Sequence, residues 1–95
     1  MKEYVIQSRI LRYLNKEKIY AVKVIIANRS GVPDILSCVD GLFVAFEVKS
    51  DTGETSILQD WNLDQIRIRG GKAFAVRSLN EVKKIIEGLR TEVNL

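Results

Sequence analysis

An Asp-Gly pair at positions 40 and 41 separates two apolar runs, "VPDILSCV" before it and "LFVAFEVKS" after it. Such a pair is a strong hairpin signal, because a two-residue type I′ turn requires positive φ at both central positions. The turn also dictates register. With Asp40 and Gly41 as the loop, Val39 faces Leu42, and counting outward brings Asp34 opposite Glu47. Side chains alternate faces along a strand, so Asp34, Glu47 and Lys49 leave the same side of the sheet. Directly opposed residues have Cβ atoms about 4.5–5.5 Å apart. Two carboxylate charges at about 5 Å repel by roughly 3 kcal/mol at an effective dielectric near 20. Something must offset that. Lys49 in a structural ion-pair cluster, a proton shared by the two acids, and a divalent cation taking carboxylate and carbonyl oxygens each would.

The rest of that face, Leu36, Cys38, Phe43 and Ala45, is apolar. So is the opposite face, with Ile35, Val39, Leu42, Val44, Phe46 and Val48. The pattern predicts a sheet covered on both sides, with its charges gathered at one end as in a site. Cys38 reads as a small buried filler.

Around the hairpin, residues 2–15 have helical period, with Ile6, Ile10, Leu11, Tyr13, Leu14 and Tyr4 on one arc and Ser8, Arg9 and Arg12 opposite. Glu3 and Gln7 fall in the middle of the apolar arc. Glu3 either reaches water at a frayed first turn or points inward, where a carboxylate needs a partner. "IYAVKVIIA", 19–27, has the composition of a strand, broken by "NRSG". Residues 56–69 form a helix with Ser56 as N-cap and "GG" as its stop. "KAFAVR", 72–77, is a strand, and "SLNEVKKIIEGL", 78–89, a helix opened by a Ser78–Glu81 capping box. The order is α-β-β-β-α-β-α. The helix between the third and fourth strands is long enough for a crossover that makes them parallel. An α/β fold follows, a mixed four-stranded sheet flanked by helices, in a single domain over 1–95.

The chain has 95 residues and no histidine, which removes Ser-His and Cys-His catalysis and His-dependent zinc sites. Catalysis is left to carboxylates, Lys, polar side chains and a hard metal. Fifteen Lys plus Arg against twelve acids leave +3, a mild excess that permits a nucleic-acid partner. Arg9, Arg12, Lys16, Lys18, Lys23, Arg29, Arg67, Arg69, Lys72 and Arg77 are the residues able to track phosphates. No apolar run has the length of a membrane span, the first ten residues do not pattern as a signal peptide, and one Cys fits a reducing cytosol.

"VPD" at 32–34 and "EVK" at 47–49, set across a hairpin with Gln59 on the next helix and "RGGKAFAVRS" after it, resemble the PD-(D/E)XK nuclease superfamily. The acidic first helix and the "GVPDI…DGLFVAFEVKS" spacing look like its VRR-NUC (virus-type replication-repair nuclease) branch, over nearly the whole chain. The resemblance implies a restriction-endonuclease-like αβββαβ(α) core and hydrolysis of DNA phosphodiesters with Mg²⁺ or Mn²⁺, leaving a 5′ phosphate. It assigns the metal to Asp34, Glu47 and the Val48 carbonyl, with Glu3 assisting through water or a second ion. Lys49 would sit by the attacking water. Gln59 would fix the site, although Ser56-x-x-Gln59 is also a capping box that explains Gln59 without catalysis. Gln7 is a further supporting candidate.

One such site cuts one strand, and paired cuts in a duplex or four-way junction need two sites related by a two-fold axis. Ile57, Leu58, Trp61 and Ile68 form one apolar arc of the second helix, with Leu63 and Ile66 pointing away, so this helix can pack on its own sheet and on another copy. Resemblance to archaeal Holliday junction resolvases favours that homodimer, cutting branched DNA by shape and phosphate contacts. A flap, nick or end nuclease, and a noncatalytic DNA-binding module with a structural Asp34–Glu47–Lys49 cluster, are the alternatives. The expected setting is cytoplasmic, with a phage-encoded enzyme acting in its host's cytoplasm as one form of it.

Overall fold

The computed structural model describes residues 1–93. The elements are α1 (Glu3–Lys16), β1 (Tyr20–Lys23), β2 (Ile35–Val39), β3 (Leu42–Val48), α2 (Ile57–Ile68), β4 (Lys72–Val76) and α3 (Leu79–Val93). One mixed sheet runs β1-β2-β3-β4, with β3 and β4 parallel across the α2 crossover and the other pairs antiparallel. Asp40 and Gly41 adopt φ of 51° and 89°, the double positive φ of a type I′ turn, and Val39 faces Leu42 as expected. No helix among the described residues is long and apolar enough to cross a membrane.

The two sheet faces are covered unequally. Ile35, Val39, Val44, Phe46 and Val48 pack against Ile6, Ile10 and Leu14 of α1 and Val82, Ile86 and Leu89 of α3. On the other face α2 alone sets Leu63 against Ala45 and Ala73, with Leu36 and Ile66 at the margin. A helix about 10 Å wide spans only about two strands spaced 4.8 Å apart. The β1–β2 side of this face is therefore open, and Cys38 is exposed between exposed Tyr20 and Phe43. The expected buried filler and full two-sided cover are both corrected by that geometry.

β1 stops at Lys23, short of the predicted 27. Val24 N–H still donates to the Asp34 carbonyl at 2.8 Å, and the pairing with β2 goes no further. Ile25 and Ile26, with no strand to pair, are left 76% and 89% exposed. On α1, Ile6, Gln7, Ile10 and Leu14 are buried, whereas Tyr4 is exposed despite its place on the apolar arc. The α2 capping box is complete: Ser56 Oγ accepts from Gln59 N–H and Gln59 Oε1 accepts from Ser56 N–H. The expected box on α3 is half formed. Ser78 Oγ accepts from Glu81 N–H, but the Glu81 carboxylate reaches past Ser78 to accept from Arg77 N–H at 2.7 Å. α3 also outruns its expected end at 89, because Arg90 anchors its last turn. That guanidinium donates to the Glu17 carboxylate at 3.0 Å, the Glu17 carbonyl at 2.9 Å and the Asp40 carboxylate at 3.2 Å.

Gly31 shows how tightly the approach to the site is packed. It has φ of 81°, and a Cβ there would lie 2.9 Å from Asn62 Nδ2, 2.9 Å from Leu58 Cγ and 3.0 Å from the Leu58 backbone carbon. Gly31→Ala should therefore destabilise the protein by about 1–3 kcal/mol, through strain at positive φ and displacement of α2. Urea unfolding checks this; an unchanged midpoint would show that the loop shifts freely.

Candidate active site

The end of β2 creates the site. Hydrogen-bonded pairs alternate along an antiparallel ladder, and a two-residue hairpin starts the alternation at Val39–Leu42. Continuing that register, Ile35–Phe46 is a bonded pair, Asp34–Glu47 a non-bonded pair with close side chains, and Pro33–Val48 the next bonded pair. Pro33 cannot serve it fully. Val48 N–H turns to the Asp34 carboxylate instead, donating to Oδ2 at 2.8 Å. The Val48 carbonyl points to the same side as its N–H and faces a residue that has no N–H. The "PD" dipeptide thus does two local jobs: its Pro leaves a strand carbonyl without a ladder donor, and its Asp holds the facing N–H.

Glu47, only 3% exposed, comes from the other strand of the hairpin. Lys49 Nζ lies 3.6 Å from Glu47 Oε2, and Gln59 Nε2 donates to the same oxygen at 3.3 Å. Gln59 therefore joins both roles left open by the sequence, its Oε1 capping α2 and its Nε2 touching Glu47. Burial, and after it the charge of Asp34 and a hydrogen bond with it, push the Glu47 carboxyl up to about 8, with Lys49 pulling the other way. A carboxylate so placed is under-compensated by its protein neighbours. One lysine beside it does not neutralise the pair.

Glu3 comes to the rim of this cluster. Its Oε2 accepts from Ser50 N–H at 3.3 Å, and Gly53 is packed so closely that a Cβ there would lie 3.3 Å from the same oxygen. It thus points inward from the first turn of α1, tying that turn to the loop after β3. Among the described residues no three Asp, Glu, Cys or His side chains gather closely enough to hold one ion, so Glu3 stands apart from Asp34 and Glu47. Gln7 is buried one turn further along α1.

Two residues build the site in ways the sequence did not indicate: Arg77 was expected only to track phosphates, and Asn62 was not singled out. Arg77, just after β4, donates through its guanidinium to the Ser50 carbonyl and so fixes the loop following Lys49. Asn62 is buried on the inner side of α2 and donates through Nδ2 to the carbonyls of Ser30 and Leu58 at 3.1 and 2.9 Å. It ties the helix carrying Gln59 to the loop that leads into Pro33 and Asp34. A lone polar residue beside Leu63 on the inward arc of a helix is the signal that marks it. Of the cations expected to track phosphates, Arg67 is engaged by the Ala73 carbonyl and Asp64, and Arg69 by Gln65.

The donor set fits a hard divalent cation: two crowded carboxylates, one with a raised pKa, and a backbone carbonyl left without its ladder donor.

No protein-family sequence profile matches the chain, and no curated protein sequence does. Solved structures do. One described as a VRR_NUC domain is 28% identical, superposes with a TM-score of 0.78 and covers 90% of this chain and 94% of its own. A second, described as a VRR_NUC domain protein, is 13% identical with a TM-score of 0.79, covering 93% of this chain and 87% of its own. A third is Hjc, a Holliday junction resolvase from the archaeal hyperthermophile Archaeoglobus fulgidus, 23% identical with a TM-score of 0.62 over 79% of this chain and 67% of its own.

Proposed function

We propose that this chain, with its VRR-NUC-like nuclease fold, is a divalent-metal-dependent, structure-selective DNA endonuclease acting as a homodimer on branched DNA, the four-way junction above all. The observation that carries the reading is the crowding of Asp34 and Glu47 beside Lys49 at the end of β2, with the Val48 carbonyl facing Pro33. The likeness to VRR_NUC domain structures and to a junction resolvase supports the same conclusion.

Asp34, Glu47 and the Val48 carbonyl would hold Mg²⁺ or Mn²⁺, with Glu3 acting at a distance through water. A dication bound there would draw charge off the scissile phosphate and lower the pKa of water. The chain's own residues do the rest. Val48 N–H orients the Asp34 carboxylate, and Gln59 and Lys49 hold Glu47 from two sides. The Lys49 ammonium stabilises negative charge developing on phosphate and favours deprotonation of a nearby water. Lys49→Met should therefore lower kcat by about 10²-fold or more at saturating metal while leaving the metal concentration for half-activity within about threefold. A selective loss of metal affinity would contradict that role.

Support for the dimer comes from α2. Leu63 and Ile66 face the chain's own sheet, while Ile57 and Ile68 are 91% and 73% exposed, with Leu58 and Trp61 beside them. Trp61 and Leu58 also line a cavity with Asn28, Arg29 and Ser30, in the loop that carries exposed Ile25 and Ile26. An apolar arc of this extent fits burial against a second copy. Sedimentation should give a dimer at assay concentration; a monomer that still makes paired cuts would remove the argument.

The deciding experiment incubates labelled four-way junctions, flaps, nicked and intact duplexes and single strands with Mg²⁺, Mn²⁺ or chelator. Metal-dependent, symmetric incision of the junction is the expected result. Preference for flaps or nicks would move the substrate, and binding without incision under either metal would leave a noncatalytic module.

A further inference from the structure

We propose that the groove between α1 and α3 is a second nucleic-acid contact surface, which grips the phosphates of a duplex arm beyond the one being cut. The proposal takes its ligand class from the nuclease reading above.

Arg9, Arg12 and Lys16 of α1 and Lys83 of α3 line this groove, with Tyr13 and Leu79 at its floor. No acid lines it. Among the described residues none of the four cations has a hydrogen-bonded or ion-pair partner, whereas Arg67, Arg69, Arg77 and Arg90 are all engaged within the protein. Four cations set against Glu17 and Glu87 at one end leave this side with a local positive excess. Lys83 is partly oriented in advance, its Nζ 5.7 Å from the centroid of the Tyr13 ring.

The groove is also polarised along its length. Glu17 and Glu87 lie toward one end, beside Tyr13, Lys16 and Lys83, where Arg90 answers Glu17 at 3.0 Å, and no acid among the described residues lines the end at Arg9 and Arg12. The row of cations starts at Arg9, about 9 Å of helix rise beyond Glu3 and hence beyond the rim of the active site. From Arg9 to Lys16 the rise is about 10.5 Å, against one phosphate per ~3.4 Å of axis on each strand of a duplex, so the row spans about three phosphates. Ser8, Asn15 and Asn80 are among the exposed side chains of α1 and α3. Among the described residues of α1 and α3 no Leu, Phe or Trp is exposed and Tyr4 is the one exposed aromatic, so a nucleic-acid backbone fits the groove better than a membrane surface.

The test replaces Arg9, Arg12, Lys16 and Lys83 together by Gln and measures junction affinity in chelator, so that binding is read without cutting. A control variant replaces Lys18, Lys23, Lys72 and Lys84, all exposed, to match the loss of charge. The groove variant should bind a four-way junction at least about tenfold more weakly near 100 mM salt, with a log–log salt slope shallower by two to four. The control should lose clearly less, and cutting by the groove variant at saturating junction should keep its kcat. Unchanged affinity and slope overturn the proposal, as does an equal loss in the control. Loss of binding to phosphatidylserine vesicles with DNA affinity intact also overturns it, in favour of a membrane partner. Should the wild type bind junctions through the groove yet cut none, the nuclease reading fails and the groove assignment stands.

Discussion

Asp34→Asn and Glu47→Gln should each slow junction cleavage by about 10³-fold or more, roughly 4 kcal/mol of barrier, while junction affinity in chelator is kept or improved. The isosteric changes separate catalysis from architecture. Asn at 34 still presents an oxygen to the Val48 N–H now held at 2.8 Å, so the end of the hairpin stays closed while the charge is gone. Gln at 47 still reaches Gln59 and removes the repulsion that burial and Asp34 impose on Glu47. If the cluster were only structural, the second change would stabilise the fold and leave the rate alone. If it holds a dication over phosphate, the fold survives and the rate does not. Affinity moves the other way from rate, since each change takes a negative charge away from a phosphate-facing surface. Cleavage by both variants at the wild-type rate in Mg²⁺ would sink the site assignment.

The hairpin was readable because a period of two and a two-residue turn leave no freedom: once Asp40 and Gly41 close the loop, every opposed pair is determined. The convergence of Asp34, Glu47 and Lys49 followed from that count alone. What escaped was set by neighbours distant in sequence. No local pattern says that α2 is too narrow to cover β1 and β2, so Cys38 read as core. Nor does "IYAVKVIIA" carry the fact that its pairing with β2 ends at Asp34, so a strand-like composition ran on through exposed Ile25 and Ile26. Arg77 and Asn62 act on backbone carbonyls at Ser50 and Ser30, contacts that exist only once four segments have met. Gln59 was ambiguous for a different reason: one amide has two ends, and this one uses them on different tasks.

The metal-free protein should lose stability as pH rises from about 5 to about 8, the reverse of ordinary acid denaturation. Folding raises the Glu47 carboxyl from 4.5 to about 8, chiefly by burial and by Asp34. Below the unfolded value the group is protonated in both states and imposes no penalty. Between the two values the folded chain keeps a proton that the unfolded chain has released, so rising pH favours unfolding. Above about 8 the ionised group is buried beside Asp34 and the penalty is complete, on the order of 5 kcal/mol at 1.36 kcal/mol per unit. A loss of that size lowers Tm by more than about 10 °C in a domain of this length. Millimolar Mg²⁺ or Mn²⁺ at pH 8 should restore most of it, because a dication binds the ionised folded form and not the unfolded chain. Other groups also titrate in this window, so the decisive quantity is the difference between wild type and Glu47→Gln in chelator. The variant should be the more stable at pH 8, the two should converge near pH 5, and added metal should close the gap from the wild-type side. Parallel Tm curves across that range would mean that Glu47 is ionised without strain, and the carboxylate pair would then have no need of a metal.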